Sequence, residues 1–223
     1  MGMKAPVTKK GEGAGFELTP AGKYLGVCNG VYMLGTQPGY QGGPAKQQVL
    51  FTFELHKRKG PAKGASGYPF DASITCTFTA NVNSKMIELA GALENRQYTD
   101  EDLAEVKDRG GFDPETLLDK VCWLDIQHKK NLKGDTKAVV NTFSALDRDD
   151  DAGLAEQVNE NRETDSVYWD WTLGTEAPRR IGYWWDQADE NPKNAGRLVE
   201  AAASANPSKV LPNGDTDDDS IPF

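Results

Sequence analysis

Long apolar runs are missing from this chain: nothing in its 223 residues approaches the roughly 18 consecutive apolar positions that a membrane-spanning helix needs. A soluble protein is therefore expected. The lysine-bearing start, Met1 to Lys10, is followed by no apolar segment of the kind a secretory signal carries, so the expected compartment is the cytoplasm. Cysteine and histidine are scarce too. Cys28, Cys76 and Cys122 are odd in number, far apart and without a C-x-x-C pair, and only His56 and His128 could join them. This argues for unpaired thiols in a reducing compartment and against a zinc site or a disulfide framework. Also absent are the phosphate loop G-x-x-x-x-G-K-[ST], the nucleophile elbow G-x-S-x-G and the metalloprotease H-E-x-x-H. The carboxylates of Asp147 to Asp151 lie in a run too polar to be held in a fixed site. No enzyme, cofactor or metal is expected.

Positive charge looks deficient at first, with a net charge of -9. Counted by segment, the deficit is local. Met1 to Leu146 carries 18 Lys and Arg against 16 Asp and Glu, a net +2, whereas Asp147 to Phe223 carries 7 against 18, a net -11. The acidity belongs to the C-terminal third.

Residues 1–15, rich in Lys and Gly and poor in apolar side chains, read as a flexible basic arm. Lys23 to Leu34 mixes β-formers with Gly26 and Gly30, which fits a long bent strand. A glycine-rich turn over 35–44, with Tyr40 at its middle, separates it from a second strand over Gln47 to His56. Lys57 to Gly67 reads as a mobile basic loop, and Ser73 to Ala80, alternating apolar residues with threonine, as a third strand. Ser84 caps a helix over Lys85 to Asn95, followed by weaker helical signals at Asp100 to Lys107 and Asp113 to Leu118. Val121 to His128 and Lys137 to Leu146 form a fourth and fifth strand, a hairpin with a basic turn.

Three strands, a helical insertion and two strands is the order of an OB-type fold. The expectation is thus a mainly β protein, a five-stranded OB barrel with its helical insertion between strands three and four, over residues 16–146. Residues 147–203 form an acidic, aromatic-rich extension, with Tyr168, Trp169, Trp171, Tyr183, Trp184 and Trp185 in a short span. Such density is expected to pack on the barrel or on another subunit. Residues 191–203 could add a short helix, and 204–223 have no composition to fold alone.

Single-stranded nucleic acid is held by cations along the phosphates and by aromatic faces that stack the bases. The strands offer Tyr32, Phe51, Phe53, Trp123 and Phe143, and the first loop offers Tyr40. Core packing is the competing role for each strand aromatic; Phe51 and Phe53 share a strand face, so they are core or platform together. Tyr40, flanked by glycine, has little core to join. The candidate phosphate ligands are Lys57, Arg58, Lys59 and Lys63 in one loop, and Lys129, Lys130, Lys133 and Lys137 around the hairpin turn. Solubility is the competing role for these.

The chain ends Asp217-Asp218-Asp219-Ser220-Ile221-Pro222-Phe223. A solvating acidic tail explains the aspartates but not the apolar end. Ile221, Pro222 and Phe223, with the preceding aspartates, make a compact ligand for a partner offering an apolar pocket beside a cation. This tip resembles the C-terminal tip of bacterial single-stranded DNA-binding proteins, which ends in Asp-Ile-Pro-Phe; here Ser220 precedes Ile221. A wider set of segments resembles a family of phage and prophage OB-type proteins that bind single-stranded DNA: Gly26 to Tyr40 with Leu34-Gly35-Thr36-Gln37, Tyr40-Gln41-Gly42, Phe51 to Leu55, Gly111-Phe112-Asp113, Leu117-Leu118 and Ile126-Gln127-His128-Lys129. The resemblance implies a barrel that binds single strands without strong sequence preference in replication, recombination or repair, a tail that docks proteins of those pathways, and no catalytic residue. A homo-oligomer is compatible with this reading. The rival is a non-catalytic adaptor whose barrel and aromatic cluster form a protein interface with no nucleic-acid role.

Overall fold

The computed structural model describes residues 17–39, 43–58, 60–131, 134–149, 151–173 and 175–194. The basic arm, Tyr40, Lys59, Lys133, most of the 191–203 segment and the whole tail from 204 to Phe223 lie outside the described residues.

The chain is mainly β, with seven strands in one sheet that is antiparallel except at one pairing. At its centre is β1 (Gly22–Gln37), paired along one edge with β2 (Lys46–Lys57) from Leu25↔His56 to Gln37↔Lys46. The two-residue β3 (Gly60–Pro61) and then β4 (Asp71–Thr77) pair with the far edge of β2. The other edge of β1 takes β5 (Val121–Lys130) over Gly22 to Val27, and β5 takes β6 (Thr136–Ser144). Past Val27 that edge of β1 is taken over, in parallel, by β7 (Val167–Trp169) against Gly30 to Tyr32. β4 and β6 share no ladder among the described residues, and the sheet is not closed.

β1 bends at two bulges, Cys28/Gly30 and Met33/Gly35. Its glycines follow from close packing. A Cβ on Gly26 would stand 2.5 Å from Leu124 Cδ1 and 3.3 Å from Phe53 Cδ1, and Gly35 sits at φ +73, a conformation that disfavours side chains.

The inner face of the sheet, including Phe51, Phe53, Leu55, Ile74, Leu124 and Ile126, packs against α1 (Lys85–Glu94) through Met86, Ile87, Leu89, Ala90 and Leu93. Ser84 Oγ accepts from the Ile87 amide and Asn95 closes the helix in the left-handed region at φ 52. A capping box of Thr99 and Asp102 starts α2 (Asp100–Asp108). All three cysteines are buried free thiols, and burial pushes Cys28 up to about 12.

The outer face is buried as well, so that β2 is covered from Val49 to His56 without alternation. The cover is the chain's own extension. α3 (Leu154–Glu160) sets Leu154 and Val158 on Leu25, Val27 and Val121. Trp169 and Ile181 cover Tyr32, Leu34 and Leu50, with Trp171, Trp184 and Trp185 half-buried around them; Trp184 and Trp185 belong to the one-turn α4 (Gly182–Trp185). Glu190 fastens the end of this cover, accepting from the Thr36 amide at 2.6 Å and the Thr36 hydroxyl at 2.7 Å.

Candidate nucleic-acid interface

Because β2 and β5 both run antiparallel to β1, their C-terminal ends meet at the start of β1: Leu25 lies opposite His56, and Gly22 opposite Ile126. Two basic segments distant in sequence therefore emerge at one end of the sheet, Lys57 to Lys63 after β2 and Lys129 to Lys137 across the β5–β6 turn. Lys57, Arg58, Lys63, Lys129 and Lys130 are exposed there and Lys137 is half-buried. Lys129 pairs directly with Lys137 across the hairpin. Two like charges opposite each other cost stability unless something anionic lies near them. Among the described residues no ion pair engages Lys57, Lys129, Lys130 or Lys137.

The extension engages the rest. Arg58 lies 3.6 Å from Asp151, and Lys63 lies 2.5 Å from Glu163. Asp151 also accepts from the indole N–H of Trp123 at 2.8 Å, while the Lys23 ammonium sits 4.8 Å over the Trp123 ring. The Trp123 hydrogen bond, followed by one from the Asp147 amide, holds the Asp151 carboxyl below its ordinary range. The loop expected to be mobile over 57–67 is tied down by the β2–β3 pairing and by a bridge between Lys63 and Pro69.

The strand aromatics are corrected by the structure. Phe51 and Phe53 are fully buried on the inner face and Tyr32 is only 5 % exposed beneath Trp169, so none of the three presents a face to a ligand. The reason is that both sides of the sheet are covered, a circumstance that period-2 reading of one strand does not contain. Trp123 is half-buried under Lys23, and Phe143 packs on the inner core. Tyr40 lies outside the described residues. Sequence reading missed Tyr68, a residue 76 % exposed in the β3–β4 turn beside the basic segment. Its signal was the one that singled out Tyr40: an aromatic between turn residues, here Gly67 and Pro69.

Between the basic end and the extension lies a buried polar network. Glu54, 1 % exposed, accepts from the Glu163 amide at 3.0 Å, the Thr164 amide at 2.8 Å, the Thr164 hydroxyl at 2.6 Å and His56 Nε2 at 2.8 Å. Asn29 donates to Thr164 Oγ1 and accepts from Thr52. Burial outweighs the Glu54 and Glu163 carboxylates and holds the fully buried His56 below its ordinary 6.5. Its neutral ring then donates through Nε2, and Nδ1 has no hydrogen-bond partner among the described residues.

A pH dependence follows. Between the ordinary imidazole value and the lower folded one, the unfolded chain binds a proton that the folded chain does not, so stability is full above about pH 6.5 and falls as pH drops below it. The thermal midpoint is expected to be lower at pH 5.5 than at pH 7.5, and His56→Gln should remove most of that difference. Asp151, held low, adds its own loss only in the carboxylate range. Equal midpoints at the two pH values would mean that His56 is not held neutral.

No protein-family model matches this chain, and no curated protein matches it either. No helix among the described residues is long and apolar enough to cross a membrane.

Proposed function

We propose that this chain is a non-catalytic protein that binds single-stranded DNA without sequence preference, through the basic end of its sheet. The observation that carries the reading is the convergence of the post-β2 and β5–β6 segments at that end, with Lys129 facing Lys137 and neither held by a carboxylate among the described residues. An OB-type barrel is the architecture we propose for it. The order β4-β2-β1-β5-β6, with α1 and α2 inserted between β4 and β5, supports that reading. The tip from Asp217 to Phe223 is proposed to recruit replication, recombination or repair proteins to the covered strand in a bacterial cytoplasm. Its support is the sequence alone.

The test is a fluorescence titration of the full chain with a labelled poly-dT oligonucleotide and with the corresponding duplex, at two salt concentrations. Tight binding to the single strand, weakening with a log-log salt slope of about -0.7 per neutralised phosphate, is the expected result. Binding to neither nucleic acid would sink the proposal and leave the adaptor role.

A further inference from the structure

We propose that the β3–β4 turn holds a nucleotide pocket, in which Tyr68 stacks on one base of a single strand and Arg180 meets an adjoining phosphate. The proposal rests on the single-strand reading above and assigns it a base-stacking residue. The turn is firmly built. The Gly67 amide donates to the Gly64 carbonyl at 3.0 Å, the Gly64 amide to the Tyr68 carbonyl at 3.2 Å, and the Phe70 amide to the Ala62 carbonyl at 2.7 Å. Glu17 accepts from the Ala65 amide at 2.6 Å. Tyr68 is thus a large ring held out in water on a segment whose backbone is committed, which is what a stacking platform requires: little ordering is left to be done on binding.

Tyr68 borders a cavity of about 680 Å³, within the range of roughly 300–1,000 Å³ usual for small-molecule sites. Pro69 and Phe70 add apolar wall, buried Asn29 lines the inner side, and the paired, half-exposed Arg180 and Asp71 line the outer side. Glu17 and Glu54 also border the cavity, each engaged by backbone amides, so the parts offered to a nucleotide are Tyr68, Asn29 and Arg180. Asn29 uses one amide hydrogen on Thr164, and its second is a donor for a base carbonyl. Arg180 is 41 % exposed and its partner Asp71 is 58 % exposed; a solvent-screened pair of this kind holds its cation weakly and can share it with a phosphate. Gly64 and Pro69 line the pocket, the first next to Lys63 in sequence and the second bridged to it, so the pocket adjoins the basic loop.

The test uses the full chain and the same labelled poly-dT oligonucleotide. Tyr68→Ala is expected to weaken binding on the order of ten-fold, Tyr68→Phe to leave it unchanged, and Arg180→Gln to reduce the salt slope by about 0.7. Because the Tyr68 ring is largely in solvent, thermal midpoints should stay at that of the unaltered protein, which separates the removal of a stacking face from damage to the fold. Normal affinity in a folded Tyr68→Ala variant would overturn the pocket and leave the single-strand reading standing. An equal loss in Tyr68→Phe would trace the effect to the hydroxyl and overturn stacking. Failure of the unaltered protein to bind poly-dT would overturn both.

Discussion

Glu54→Ala is expected to lower the unfolding free energy by several kcal/mol, because each buried donor left without its acceptor costs about 1–3 kcal/mol. The side chain is an acceptor for two backbone amides, one hydroxyl and one imidazole, all pointed at it from the 163–164 corner and from His56. Truncation leaves these donors without their acceptor. The damage spreads through Thr164 to Asn29 and Thr52, which share the network. Glu54→Gln keeps one acceptor oxygen but turns an amide nitrogen toward donors, so its loss should fall between. Urea denaturation followed by tryptophan fluorescence measures both, because four of the five tryptophans, Trp169, Trp171, Trp184 and Trp185, lie in the extension this corner anchors. An unchanged midpoint and slope in Glu54→Ala would show that the extension is held by its apolar packing alone.

The second large effect is on binding. Replacing Lys129, Lys130 and Lys137 together by alanine should weaken poly-dT binding about 100-fold at roughly 0.1 M salt. Each lysine that no longer neutralises a phosphate of the single strand takes about 0.7 off the salt slope, or about five-fold in affinity at that salt. Stability should move the other way. Lys129 and Lys137 repel across the hairpin, so the triple variant should melt no lower than the unaltered protein. The two readouts together are diagnostic, because a variant that loses binding by misfolding cannot also keep its midpoint. Unaltered affinity in the triple variant would move the interface away from this end of the sheet.

Local features were legible where one short segment carries its own physics. The Ser84 cap, the apolar spacing of α1, the irregularity of β1 at Gly30 and the hairpin of β5 and β6 all follow from neighbours within a few residues. The aromatics were less legible. Phe51 and Phe53 alternate with Thr52 and Glu54 in a pattern that ordinarily marks one wet face, yet Thr52 and Glu54 are buried too. What covers them, Thr164 and its surroundings, lies more than 100 residues along the chain. The three-residue β7 was also invisible in sequence, because its pairing exists only where β5 leaves the edge of β1 free.

By itself, then, the sequence determined the strand-rich class, the helical insertion and the division between a near-neutral body and an acidic C-terminal third, since periodicity, capping and charge are local properties of the chain. Tertiary structure alone decided which lysines stand together, which carboxylates restrain Arg58 and Lys63, and which aromatics face water. Those depend on strand register and on a long-range return of the chain over the outer sheet, and neither has a signature shorter than the fold itself.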